Sequence, residues 1–238
     1  MSAAATDEGP VRLRRLVPQG PRVDPEEAYA VAAGTTWLRA NMVSSADGAI
    51  TGPDHRSAGV SSPADRYVFA ALRRLADAVL VGAGTARIEG YRPARVPIAL
   101  VSARLELDLA SPLLADAHPR TIVYTAASAG AERIEATSKV ADVVVCGEAL
   151  VDLAVAVDDL RARGYLHVLC EGGPTLLGSV LGHGILDELC LTISPVLVGG
   201  TIPRIIAGTP LPGLVDLELA HLLEADGSLF ARYLVRRG

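Results

Sequence analysis

Five short runs rich in Val, Ile, Leu and Ala punctuate the middle of this 238-residue chain. They occupy residues 77–82, 96–102, 120–125, 141–147 and 166–173. None of them alternates apolar with polar residues, and such unbroken runs are typical of strands that are buried on both faces. Strands of this kind occur where helices cover both sides of a parallel sheet. The runs therefore predict one three-layer α/β/α domain with a mainly parallel central sheet.

Other segments complete the predicted domain. Helical spacing, N-caps and closing glycines predict helices at residues 62–76, 152–164 and 173–184. Further strands are expected at residues 37–43, 187–200 and 227–238. The last of these would be antiparallel and lie at or near an edge of the sheet. Residues 1–34 are interpreted as an N-terminal arm with a helix at 24–33, packed on a main domain of residues 35–238.

Composition excludes several classes of function. The net charge is −5 and no basic stripe is present, so a nucleic-acid partner is not expected. No stretch of about 18 apolar residues indicates a membrane span, and residues 1–10 lack the apolar core of a signal peptide. The three cysteines are far apart and have no metal-ligand spacing. We expect a cytoplasmic enzyme with reduced, buried thiols and no bound metal.

Two glycine-rich turns, at residues 81–85 and 171–176, each follow a predicted buried strand. Ligands of open α/β sheets bind outside the carboxyl ends of the strands, and a helix N-terminus favours an anion. The first turn has Arg87 where a Rossmann fingerprint needs Gly or Ala, and the second lacks the lysine of a P-loop. Each turn alone could be a simple helix entry, but together they favour a dinucleotide.

Ser102 and Arg104 follow the strand predicted at residues 96–102. An arginine past a strand end can bind a 2′-phosphate and so select NADPH over NADH. The alternative for Arg104 is a solvated loop residue.

Five motifs in a fixed order resemble the reductase domain of riboflavin biosynthesis, which occurs in bifunctional deaminase-reductases and in stand-alone pyrimidine reductases. The resemblance runs from about residue 37 to the C-terminus. The motifs are N-M-V-S-S-A-D-G at 41–48, A-D-A-V-L-V-G-A-G-T at 76–85, E-G-G-P-T-L at 171–176, L-D-E-L at 186–189 and S-P-V-L-V-G-G at 194–200. The resemblance implies a dihydrofolate-reductase-like fold, an NADPH cofactor and a homodimer. The apolar segment 184–200 is a candidate interface, or simply a central strand.

The resemblance also implies roles for individual residues. Implied cofactor contacts are Ser45, Gly82, Gly84, Thr85, Ser102, Arg104, Gly172, Gly173, Pro174, Thr175, Leu176 and Leu177. Implied substrate contacts are Asn41, Ser57, Arg73, Glu171 and either Arg92 or Arg95, with Arg73 on the ribose phosphate. Asp47 and Glu171 are the candidate catalytic carboxylates. Two departures concern the pocket: Asn41 stands where bifunctional enzymes usually have Lys, and Gly59 replaces a common Trp.

The implied reaction is that of a 5-amino-6-(5-phosphoribosylamino)uracil reductase, in which the ribosylamine is trapped as an imine and reduced at C1 of the ribose. A proton must reach the developing amine from a carboxyl group or from water. The chain has no H-x-E or P-C-x-x-C motif of a zinc deaminase, so we do not expect it to deaminate. Two alternatives stay open: a reductase of dihydrofolate or another pterin, and a non-catalytic nucleotide-binding protein.

Overall fold

The structure, a computed structural model, describes residues 13–236, and within them ten strands form one sheet. The strands are β1 (Arg14–Val17), β2 (Trp37–Ser45), β3 (Ala78–Gly82), β4 (Ile98–Val101), β5 (Ile122–Thr125), β6 (Asp142–Val145), β7 (His167–Cys170), β8 (Glu188–Ser194), β9 (Leu217–Ala225) and β10 (Ser228–Val235). Their order is β1-β9-β10-β8-β2-β7-β3-β4-β5-β6. In this spatial order, all neighbouring strands from β8 through β2 and β7 to β6 run parallel to each other. The pairs β8–β10, β10–β9 and β9–β1 are antiparallel. The predicted parallel sheet with an antiparallel C-terminal strand is confirmed.

Helices cover both faces of this sheet. They are α1 (Pro25–Tyr29), α2 (Pro63–Leu75), α3 (Ala83–Glu89), α4 (Pro112–Ala115), α5 (Ala131–Ser138), α6 (Leu153–Ala162) and α7 (Pro174–Gly182). Strand β7 shows the division, because Val168 and Cys170 pack among residues of α6 and α7 while Leu169 packs among residues of α1 and α2. The three-layer arrangement is therefore as predicted. Within the described residues, no helix is long and apolar enough to span a bilayer.

Local signals explain the start of α2, which positions part of the site. The Ser62 side chain accepts a hydrogen bond of 3.0 Å from the backbone N–H of Asp65, and Pro63 occupies the first turn. The helix was predicted to begin at this point, at residue 62. The three cysteines, Cys146, Cys170 and Cys190, are buried and free, which agrees with the expectation of reduced thiols.

The structure departs from the sequence predictions at the sheet edges. Strand β6 was predicted to be buried on both faces, but it is the last strand of the sheet, and both Asp142 and Val145 are exposed. Strand β9 was not predicted at all. It pairs with β10 and with β1, so residues 14–17 of the predicted arm extend the sheet. Residues 1–12 of that arm lie outside the described residues.

A buried ion cluster anchors the segment after β1. Glu188 is fully buried and accepts hydrogen bonds from Arg39 Nε at 2.6 Å and from Arg232 Nη2 at 2.8 Å. The same two arginines donate to the carbonyls of Tyr29 and Ala28, respectively, at the end of α1. Helix α1 thus ends at Tyr29, earlier than the predicted 24–33. Burial opposes ionisation of Glu188, but the charges of both arginines outweigh it and lower the pKa of Glu188.

His221 lies beside this cluster and should make stability depend on pH. It is 5% exposed, and its ring meets that of Tyr29 edge-on at 4.9 Å. Burial, followed by the charge of Arg232, lowers the pKa of His221 to about 4. An unfolded chain has a histidine pKa of about 6.5. The contribution of His221 to the free energy of unfolding should therefore be fully present above that pH and should be lost as the pH drops towards 4. The expected loss is about 2–3 kcal/mol.

Urea denaturation at several pH values between 7.5 and 4 would measure this loss. His221→Gln should flatten the dependence, whereas His118→Gln, at an exposed position, should leave it unchanged. Equal slopes for the wild type and His221→Gln would assign the pH dependence to other groups.

Candidate active site

A cavity of about 780 Å³ opens at the carboxyl ends of the parallel strands. Its size falls in the range of about 300–1,000 Å³ that is usual for small-molecule sites. Its walls come from β2, from the loop before α2, from α2 and α3, and from the turn after β7. The lining includes Asn41, Thr51, His55, Ser57, Ser61, Asp65, Arg66, Phe69, Thr85, Glu89, Tyr91, Glu171, Gly173 and Pro174.

Glu171 is the most strongly held carboxylate in the cavity wall. It follows β7 and is 8% exposed. Arg73 donates from Nε to Oε1 and from Nη2 to Oε2, both at 2.7 Å, which is the bidentate geometry that orients a carboxylate most firmly. The Tyr91 hydroxyl donates to Oε2. Burial and the charge of Glu171 raise the pKa of Tyr91, so its phenol keeps its proton and remains a donor.

Arg73 is therefore committed to a carboxylate rather than pointing freely into the cavity. Its guanidinium also lies 4.7 Å from the ring centre of Phe69 and 5.2 Å from that of Tyr91. The structure brings Arg73 and Glu171 together, as two residues predicted for one site. It does not place Arg73 among the residues that line the cavity, where the phosphate contact was expected.

Asp47, the other candidate catalytic carboxylate, lies outside this cavity and is exposed. It accepts a hydrogen bond of 2.5 Å from the Ser45 hydroxyl, and further bonds from the backbone N–H groups of Val198 and Gly199. These bonds, that from Ser45 first, lower the pKa of Asp47 to about 2. At neutral pH Asp47 has no proton to donate. Its contacts tie the turn after β2 to the loop after β8.

The two glycine-rich turns touch each other beside the cavity. The Gly82 N–H donates to the Gly172 carbonyl at 2.8 Å. A Cβ atom on Gly173 would lie 2.5 Å from Thr85 Oγ1, so only glycine allows this approach. Helix α7 begins at Pro174 without a side-chain cap, which leaves backbone N–H groups of its first turn available to an anion. The residues present therefore fit a pyrophosphate.

The remaining predicted residues lie at differing distances from the cavity. Asn41 and Ser57 line it, and the Ser57 N–H donates to Glu89 Oε1 at 2.9 Å. Ser102 and Arg104 follow β4 at the same edge of the sheet. Gly84 is exposed in the first turn of α3, Thr175 is exposed on α7, and Leu176 and Leu177 pack into the core.

Of the two arginines considered for the substrate, neither lines the main cavity. Arg92 lines a separate cavity of about 320 Å³ beside α3 and α4. Arg95 donates to the Arg74 carbonyl at 3.2 Å.

Sequence reasoning missed Tyr91, Glu89 and Asp65. Tyr91 follows α3, and no local pattern in the sequence marks it as a site residue. Asp65 reads in the sequence as an ordinary acidic residue in the first turn of a helix. Within residues 13–236 no group of three or more His, Cys, Asp or Glu side chains is placed to share a metal ion.

A parallel sheet with paired glycine turns, next to a cavity that holds an oriented carboxylate, is the arrangement expected of an α/β enzyme that binds a dinucleotide. The RibD C-terminal domain model matches residues 36–229, and the chain belongs to that family. The predicted family is thereby confirmed, and the names of the relatives confirm the predicted reductase class.

Relatives named as reductases support this assignment. The chain is similar to the 2,5-diamino-6-ribosylamino-4(3H)-pyrimidinone 5′-phosphate reductase of Methanothermobacter thermautotrophicus, with 30% identity over 76% of this chain and 89% of that protein. It is 28% identical to the enzyme of that name from Archaeoglobus fulgidus, over 69% of this chain and 82% of that protein. The crystal structure of a pyrimidine reductase-like protein from Corynebacterium diphtheriae superimposes with a TM-score of 0.79 at 27% identity, covering 91% of this chain and all of that one.

Proposed function

We propose that this chain is an NADPH-dependent reductase of riboflavin biosynthesis. Its substrate would be a phosphoribosylamino-pyrimidine, whose ribosylamine it reduces to a ribitylamine. The observation that carries this proposal is the position of Glu171, held by Arg73 and Tyr91 in a cavity that adjoins both glycine turns. The names of the relatives support the choice of substrate class.

The cofactor would occupy the glycine-lined end of the cavity. Gly82, Gly172 and Gly173 would leave room for the pyrophosphate, and the first turn of α7 would bind it. Ser102 and Arg104 would bind the 2′-phosphate, which favours NADPH over NADH. When bound, NADPH supplies the hydride.

The residues of the chain would prepare the imine for reduction. A protonated imine is cationic, and the Glu171 carboxylate, fixed in direction by Arg73 and Tyr91, would stabilise that charge. Asn41 and Ser57 would offer hydrogen bonds to the substrate. Arg66 and His55 line the cavity, and both are exposed. These two side chains would bind the phosphate in place of Arg73.

The chain would act as a cytoplasmic homodimer. Strand β8 itself is paired on both sides, by β2 and β10, so the candidate segment 184–200 cannot add a second chain along that strand. The loop after β8 is different, because Val196 and Leu197 are exposed there, the latter by 79%. These apolar side chains would contribute to the interface.

Absorbance of the nicotinamide band tests the activity directly. Purified protein should oxidise NADPH in the presence of the phosphoribosylamino-pyrimidine, and should do so faster than it oxidises NADH. A parallel reaction with dihydrofolate should show no oxidation. Oxidation with dihydrofolate alone would move the function to pterin reduction, and NADPH binding without oxidation in either reaction would favour a non-catalytic role.

A further inference from the structure

Asp65 is a buried carboxyl group that the reaction outlined above does not use. It lies in the first turn of α2, is 5% exposed and contributes to the wall of the large cavity. The Ser61 hydroxyl donates to its Oδ2 at 2.6 Å. A buried carboxylate needs several hydrogen bonds or a cation to compensate for lost hydration, and the hydroxyls of Ser61 and Thr192 supply only part of that.

The surroundings of Asp65 contrast with those of Glu171. Glu171 has both oxygens occupied by Arg73 and Tyr91. Asp65 forms no ion pair within residues 13–236, and its polar neighbours are the hydroxyls of Ser61 and Thr192 and, farther off, the charge of Arg66. Burial is the main influence, and it raises the pKa of Asp65. Asp65 therefore has capacity for a ligand that brings hydrogen-bond donors.

Pyrimidine substrates of this reaction class differ at the position that such a group would detect. A 2-aminopyrimidin-4(3H)-one presents two neighbouring donors, the 2-amino group and N3–H, spaced to match the two oxygens of one carboxylate. The deaminated form, a uracil, presents an oxygen at position 2, so a carboxylate there would face an acceptor and keep at most one hydrogen bond. A site built around a substrate N–H rejects an analogue without it, because its own polar group is left unpaired.

We propose that Asp65 is a specificity-determining residue that binds the 2-amino and N3–H edge of the pyrimidine and so selects the 2-amino substrate over the 2-oxo substrate. The inference rests on the proposed function and specifies its substrate. It differs from the expectation for a uracil reductase drawn from sequence. Asp65 and Phe69 both line the cavity from α2. In this arrangement Phe69 would pack against the pyrimidine ring and Asp65 would bind the edge of that ring.

The test compares two substrates on one enzyme, namely 2,5-diamino-6-ribosylamino-4(3H)-pyrimidinone 5′-phosphate and 5-amino-6-(5-phosphoribosylamino)uracil, each with NADPH. The wild type should show a kcat/KM at least about 10-fold higher for the 2-amino substrate. Asp65→Asn should lower that value by about 10–100-fold, mainly through KM, and should change the value for the uracil by less than about 3-fold.

Asp158→Asn is the matched control, because Asp158 is an exposed helical carboxylate on α6 that pairs with Arg161. It should leave both substrates unaffected. A wild type that prefers the uracil, or an Asp65→Asn variant with an unchanged ratio, would overturn the inference while leaving the reductase function intact. If Asp65→Asn does not fold, a wild type that prefers the uracil would still overturn the inference. Reduction of neither pyrimidine would reject the proposed function, and the inference with it.

Discussion

Replacement of Glu188 by alanine is expected to lower the free energy of unfolding by about 3–5 kcal/mol. Glu188 is fully buried and accepts from Arg39, Arg232 and the Trp37 indole N–H, the last at 2.9 Å. Its removal would leave two guanidinium groups with little access to water and no counter-charge. The penalty comes from those uncompensated charges and exceeds the net contribution of the intact pairs.

Urea denaturation followed by fluorescence would measure the change, since Trp37 is the single tryptophan and contacts the altered position. Glu218→Ala is the matched control, because Glu218 forms a 3.4 Å pair with Arg236 in which both side chains are more than half exposed. Exposed ion pairs contribute about 0–1 kcal/mol, so Glu218→Ala should hardly change the free energy of unfolding. If both variants lost a similar free energy of unfolding, burial of Glu188 would not explain the cost of removing it.

Glu171→Gln is expected to lower kcat/KM for the pyrimidine substrate by about 10²–10³-fold. The amide keeps the shape of the side chain but removes the negative charge that would stabilise a cationic imine. Arg73 would also lose its counter-ion, although it is partly exposed and can be solvated. The measurement is steady-state NADPH oxidation, with NADPH affinity from calorimetry expected to stay close to that of the wild type.

The variant Asp47→Asn tests which of the two candidate catalytic carboxylates, Asp47 or Glu171, takes part in the reaction. Asp47 lies outside the cavity and holds a loop through backbone N–H groups, so its variant should lose far less activity than Glu171→Gln. The reverse order of effects would assign the chemistry to Asp47. Thermal unfolding of both variants would show whether any loss of activity simply follows a loss of folded protein.

The aliphatic runs were enough to predict the centre of the sheet. Strands β3, β4, β5 and β7 lie between other strands and under helices, so burial on both faces is visible in each segment alone. Strand β9 carries apolar and polar residues in an irregular order, and its pairing with β1 joins segments about 200 residues apart, as in the pair Arg14 and Glu224. Contacts of that kind leave no local pattern in a sequence.

The candidate site also contains features that the sequence located and features that it did not. Glycine turns after buried strands have a local cause, because the close approach of Gly173 to Thr85 allows no side chain, and the sequence alone located them. The partner of a charged residue has no local cause. Arg73 could bind a phosphate or a carboxylate, and only the packing of α2 against the end of β7 places it on Glu171.

Asp47 and Asp65 show in opposite ways that the position of a carboxylate depends on the tertiary structure. The sequence by itself determined the fold class, which depends on hydrophobic patterning, and the family, which its ordered motifs carry. Its glycine turns also indicated the edge of the sheet at which the cavity opens. Only the tertiary structure decided which carboxylates face the cavity, because the environment of a charge is set by residues distant in the chain. Asp47 is held outside the cavity by Val198 and Gly199, whereas Asp65 is buried in its wall.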